Sequence, residues 1–139
     1  MKPSIDIIAT AQLAETVTFD TTIAVVVDVL RATTSIHCAL AAGANTVHPV
    51  ESVAQARMMK ADLPDALLCG ERNGMPPSGF DLGNSPADFA AARLKGKDII
   101  LTTTNGTLAV SHASTAQEVV AATMLNGISV ADHILRYSE

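Results

Sequence analysis

The run Ile23-Ala24-Val25-Val26-Val27-Asp28-Val29-Leu30 constrains the fold of this 139-residue chain more than any other stretch. It is nearly continuous in apolar, mostly β-branched residues, and only Asp28 interrupts it, near its C-terminal end. A strand with one wet face alternates apolar and polar side chains. An unbroken run reads instead as a central strand buried on both faces, the pattern of a parallel sheet covered by helices. From about residue 33 to 42 the spacing of Ile36, Leu40 and the alanines turns helical, and Gly43 stands where such a helix stops.

The alternation continues down the chain. Residues 46–50 read as a second β-branched strand, and Ser52-Val53-Ala54-Gln55 is a capping-box pattern opening a helix to about Lys60. Residues 66–69 form a third buried strand. Ser85 suits an N-cap, Pro86 the first helical position and Asp88 the third, so a helix to about Leu94 is expected. Residues 98–104 read as strand, 107–113 as helix, 118–122 as strand and 129–136 as helix, while residues 4–9 add a short strand at the start. Strand and helix in this order predict an α/β fold: a three-layer α/β/α sandwich with a mainly parallel sheet of about six strands, built as one domain over residues 1–139. Aromatics are only 3% of the chain against 48% apolar residues, so Ala, Val, Ile and Leu must fill that core.

A net charge of -5 without any Lys/Arg cluster argues against nucleic acid or an anionic membrane as partner. No run approaches the roughly 18 apolar residues of a membrane span, and Asp6 precedes any run long enough for a signal peptide. Cys38 and Cys69 lack a second Cys or His at zinc-ligand spacing and read as buried free thiols of a reducing compartment, which points to a cytoplasmic protein. His37, His48, His112 and His133 share no motif and read as packed or solvated side chains.

Residues 70–86 have neither a helix nor a strand period, yet hold four of the eight glycines and three of the six prolines. Such a loop is built to hold a shape, and long irregular segments in compact domains are mostly binding segments or disordered. It leaves the third strand at its carboxyl end, where open α/β sheets bind ligands. Two other unusual segments fall at the same edge: Asp28-Val29-Leu30-Arg31-Ala32-Thr33 and Thr102-Thr103-Thr104-Asn105-Gly106-Thr107. Asp28, Glu71 and Asp81 offer hard oxygen ligands for Mg²⁺. Arg31 and Arg72 can fork onto a phosphate or sulfonate. Thr33, Asn84, Thr104, Asn105 and Gly106 can complete an anion cradle with backbone N–H groups. Each piece also has a structural reading: Asp28 and Arg31 as a cap or ion pair, Thr33 as a helix cap, Glu71 and Arg72 as a surface pair, Asp81 and Asn84 as braces of their own loop, the threonines as ordinary strand residues. The chain has no P-loop, no G-x-G-x-x-G and no G-x-S-x-G elbow.

The blocks Asp28-Val29-Leu30-Arg31-Ala32-Thr33, Gly70-Glu71-Arg72, Gly79-Phe80-Asp81-Leu82-Gly83-Asn84-Ser85-Pro86, Thr102-Thr103-Thr104-Asn105-Gly106-Thr107 and Met124-Leu125-Asn126 resemble the 2-phosphosulfolactate phosphatase family in identity, order and spacing. The resemblance spans essentially the whole chain, which looks like the N-terminal portion of the usual family protein. It implies a homo-oligomeric, Mg²⁺-dependent phosphatase acting on a small phosphorylated and sulfonated acid, 2-phospho-3-sulfolactate, on the route to coenzyme M. Two other functions stay open: a phosphatase for another small phosphorylated acid, and a non-catalytic anion-binding or assembly fragment. So do direct attack by water and attack by a carboxylate through a phosphoenzyme.

Overall fold

In a computed structural model, which describes residues 4–137, five strands alternate with helices and every paired strand runs parallel to its neighbour. The order is α1 (Ala11–Ala14), β1 (Ile23–Val27), α2 (Ala32–Ala41), β2 (Thr46–Pro49), α3 (Val53–Asp62), β3 (Leu67–Gly70), α4 (Pro86–Ala91), β4 (Asp98–Thr102), α5 (Gly106–His112), β5 (Glu118–Ala122) and α6 (Gly127–Tyr137). The expected α/β class is therefore observed. The strands form two sheets, however, ordered β1-β5 and β2-β4-β3, and number five among the described residues rather than about six.

β4 is covered on both faces. Ile99 and Leu101 enter a cluster with Ala39 of α2, Cys69 of β3 and Phe89 of α4, while Ile100 points the other way into Ala56 of α3, Ala66 and Leu68. The β2-β4-β3 sheet is thus the middle of three layers. Burying each of these large aliphatic side chains contributes roughly 1.5–3 kcal/mol.

Two expectations are corrected. β1 is not buried on both faces: Ala24 and Val26 turn inward, but Val25 is 40% and Val27 63% exposed. An unbroken apolar run shows that both faces are apolar, and it carries no information on whether an element lies over each. Residues 4–9 do not form a strand. They have strand-like alternation but no neighbour to pair with, and Ile5 and Ile7 stand 89% and 90% exposed.

Local signals hold better because they rest on contacts a few residues apart. Ser52 Oγ accepts from Gln55 N at 3.1 Å while Gln55 Oε1 accepts from Ser52 N at 3.1 Å, which completes the capping box of α3. Ser85 Oγ accepts from Asp88 N at 3.3 Å to open α4 with Pro86 at its first position. At the carboxyl end of β3, Gly70 has φ +137, and a Cβ there would lie 1.9 Å from the Thr102 carbonyl oxygen. Only glycine lets β3 approach β4 so closely, and the next residue continues the pairing, Glu71 N donating to Thr102 O at 2.9 Å. Among the described residues no helix is long and apolar enough to cross a membrane.

Candidate functional site

Two strand-to-helix turns meet at the carboxyl ends of the sheets. In the first, β1 runs into α2 through Asp28. Thr33 Oγ1 accepts from Asp28 N at 3.0 Å and donates to Asp28 O at 2.8 Å, and Thr33 N reaches the same carbonyl at 3.1 Å. Thr33 is buried and fully engaged in this way, so it shapes the turn and leaves no group to touch a ligand. The turn holds Asp28 by its backbone alone. Among the described residues the Asp28 carboxylate has no hydrogen bond or ion pair, and Arg31, three residues on at the N-cap of α2, has no carboxylate within ion-pair reach. The structural reading of the two as an ion pair is thereby removed.

In the second turn, β4 runs into α5. Thr107 Oγ1 accepts from Thr103 N at 3.0 Å and donates to Thr103 O at 3.0 Å, while Thr107 N donates to Thr103 Oγ1 at 3.1 Å. These bonds explain why Thr103 and Thr104 leave the strand. Sequence reasoning gave Thr107 no role of its own, although Thr at both ends of a four-residue spacing before a helix is a readable signal. The two turns touch at Gly106: a Cβ there would lie 2.3 Å from Ala32 Cβ and 2.6 Å from Asp28 Oδ2. Glycine at this position lets the Asp28 carboxylate lie against the start of α5. A cavity of about 350 Å³ is lined by Asp28, Asn105 and Gly106 with apolar walls from Ile8, Phe19 and Ala109. The Asn105 side chain is exposed and makes no capping bond to α5.

The 70–86 loop contributes mainly as a brace. Glu71 is buried at the end of β3; its Oε1 accepts from Thr104 N at 2.8 Å and Thr104 Oγ1 at 2.9 Å, and its Oε2 accepts from Gly74 N at 2.8 Å. Burial alone would raise its pKa, but the hydrogen bonds from Gly74 and Thr104, helped by the charge of Arg72, hold the carboxyl below its ordinary value. Glu71 thus ties the β4–α5 turn to the loop. Arg72 donates to Glu71 O at 2.6 Å, Glu51 O at 2.8 Å and Thr102 Oγ1 at 2.7 Å, so much of its fork is engaged within the protein. Asp81 Oδ2 accepts from Leu68 N at 2.8 Å, which places it beside the middle of β3 and pairs the loop to that strand. Asn84 is buried beside α2, its backbone oxygen accepting from Ser35 Oγ at 3.3 Å, and its Oδ1 has no partner among the described residues.

Asp28, Asn105 and Gly106 are therefore gathered at one cavity, Arg31 follows on the same turn as Asp28 at the N-cap of α2, and Thr104 adjoins through Glu71, while Arg72, Asp81 and Asn84 stand in the supporting frame. Among the described residues no group of three or more His, Cys, Asp or Glu side chains is placed to hold a metal ion. Asp28, Glu71 and Asp81 are accordingly not brought together as one Mg²⁺-binding set; Glu71 and Asp81 instead hold backbone N–H groups. Of the three, Asp28 is the one with both carboxylate oxygens unengaged among the described residues. Cys38 and Cys69 are both free; burial, and then the charge of Asp81, pushes the Cys69 thiol up to about 12, which makes it unreactive at neutral pH.

Comparison with known proteins gives one consistent result. The chain matches the family model described as 2-phosphosulpholactate phosphatase over residues 8–139. A probable 2-phosphosulfolactate phosphatase of Carboxydothermus hydrogenoformans is 49% identical over 112 residues, covering 81% of this chain and 46% of that protein. Proteins of the same description from Pseudothermotoga lettingae and Clostridium acetobutylicum are 52% and 44% identical, covering 75% and 81% of this chain and 44% and 48% of their own lengths. The chain spans about half the length of the curated relatives it matches. Because the match runs from before β1 through α6, and so across both turns that meet at Gly106, the chain belongs to the 2-phosphosulpholactate phosphatase family.

Proposed function

We propose that this chain carries the phosphoryl-binding part of a phosphatase that hydrolyses 2-phospho-3-sulfolactate to 3-sulfolactate and phosphate. Its relatives bear that name, and the observation that carries the reading is an Asp28 carboxylate without a partner lying against Gly106, with Arg31, likewise without an ion-pair partner among the described residues, three residues on in the same turn. Arg31 would fork onto two phosphoryl oxygens and hold the developing charge as the P–O ester bond breaks and water adds to phosphorus. The Asn105 amide would receive the carboxylate or sulfonate end. Glu71, Thr33 and Thr107 would keep the two turns in register, so that the reacting groups need no reorganisation.

Mg²⁺ belongs to this proposal with Asp28 as its single protein carboxylate, a usual arrangement for an ion that keeps waters and takes substrate phosphate oxygens. When bound it would neutralise phosphoryl charge and favour deprotonation of a coordinated water. A cytoplasmic setting and a homo-oligomeric assembly are part of the same reading. A second reading, a phosphatase for another small phosphorylated acid, is favoured by the engagement of Arg72 within the protein, which leaves Arg31 as the open one of the two candidate arginines, with no second to select a sulfonate.

The test is phosphate release with and without Mg²⁺ across a panel of small phosphorylated acids, on the wild-type chain and Asp28→Asn. Release that prefers 2-phospho-3-sulfolactate and disappears in the variant is expected. Near-normal activity of Asp28→Asn removes Asp28 from the site, and anion binding without release leaves a non-catalytic module. Rapid quench with labelled substrate separates the two chemistries, since an acid-stable phosphoenzyme excludes direct attack by water.

A further inference from the structure

The β1-β5 sheet is left bare in two ways. Among the described residues β1 pairs only with β5 and β5 only with β1, so each strand of this parallel pair keeps a free edge there. Two strands do not make an independently stable sheet, and parallel sheets are normally covered on both faces. Val25 and Val27 nevertheless face solvent. The apolar surface continues beyond the strand. Leu30, in the turn after β1, is 86% exposed, and the bond between Thr34 Oγ1 and Thr123 Oγ1 at 2.8 Å holds that turn beside the one after β5, where Met124 is 84% exposed. α6 follows, burying Val130 but leaving Ile128 82% exposed, with Leu135 two turns further on also exposed. A patch of this kind on a soluble domain marks a surface that another polypeptide covers.

What covers it is indicated by length. The relatives are about twice as long as the part this chain matches, so roughly half of the family polypeptide has no counterpart among these residues. We propose that the surface formed by Val27, Leu30, Met124 and Ile128 is the seat of that other half: a folded polypeptide equivalent to the unmatched part of the relatives, adding to the β1-β5 sheet and covering its bare face. Leu30 lies between Asp28 and Arg31, so the docked half would wall the candidate site on that side. This inference rests on family membership and the bare surface, and stands whether or not the phosphatase reading does.

The experiment co-expresses the tagged 139-residue chain with the unmatched remainder of the Carboxydothermus hydrogenoformans relative as a separate polypeptide, followed by native mass spectrometry and amide hydrogen exchange. A one-to-one complex is expected, with slowed exchange at residues 25–27 and 124–128, and with at least tenfold weaker association for Ile128→Lys or Leu30→Asp. Both substitutions lie on exposed side chains, and circular dichroism of each variant alone should match the wild type. Failure of the remainder to co-purify overturns the proposal. So does a homodimer that the same variants disrupt, which would make a second copy the occupant, and so does a complex in which these residues stay unprotected. Phosphate release measured on the same samples reports separately on the activity.

Discussion

Glu71→Ala separates a brace from a metal ligand. The substitution removes three hydrogen bonds at once, from Gly74 N, Thr104 N and Thr104 Oγ1. Gly74 and Thr104 are themselves exposed, so their freed donors can turn to water and escape the full penalty of a buried orphan. The loss is then the net value of the bonds, about 1 kcal/mol each and about 3 kcal/mol together. For a chain of this size that corresponds to a fall in melting temperature of roughly 10 °C. Thermal and urea unfolding without added metal provide the assay, with Glu71→Gln alongside. Gln keeps an acceptor for Thr104 but turns an N–H₂ group toward Gly74 N, so an intermediate loss is expected. The pH dependence has a definite sign. The Glu71 carboxyl titrates below its ordinary value in the folded chain, so its stabilisation is fully present above that ordinary value and disappears as pH falls through the folded one. The gap between wild type and Glu71→Gln should therefore be full at pH 7 and close in acid. A melting temperature for Glu71→Ala within 2 °C of wild type, measured with a precision of about 1 °C, would refute the brace, since a ligand to an absent ion contributes nothing to the metal-free fold.

Other variants probe other joints of the site. Gly106→Ala drives a methyl group into Ala32 Cβ and Asp28 Oδ2, and should cost about 1–3 kcal/mol in urea unfolding as well as displacing Asp28. Arg31→Ala should leave the urea midpoint unchanged, because the side chain lacks an ion-pair partner among the described residues, yet weaken phosphate binding at least tenfold by calorimetry. Asp81→Ala should lower stability by about 1–2 kcal/mol through loss of the bond to Leu68 N, without altering the response of activity to Mg²⁺.

The sequence was most readable where contacts are local. Ser52 with Gln55 and Ser85 with Asp88 satisfy helix N–H groups three residues away, so residue type and spacing suffice. It was least readable where an outcome depends on what lies across space. The apolar run at β1 and the one at β4 look alike, and only the placement of α2, α3 and α4 buries one and leaves the other half bare. Residues 4–9 alternate like a strand but meet no edge. In the candidate site, chemistry was legible as a set of carboxylates and arginines, whereas their availability was not. Glu71 and Asp81 take up backbone donors from Thr104, Gly74 and Leu68, partners that become neighbours only when the loop folds back on β3 and β4. Gly106 was readable as part of an anion cradle; its closeness to Asp28 and Ala32 is a tertiary fact.

The central claim is that phosphate binds where the Asp28–Arg31 turn meets the Asn105–Gly106 turn. Amide chemical shifts of the labelled chain, followed while inorganic phosphate is added with and without Mg²⁺, test this most directly. Saturable changes concentrated at residues 28–34 and 104–107, absent in Arg31→Ala, are the expected result. Changes concentrated at residues 71–82 instead, or the same changes in Arg31→Ala, would contradict it.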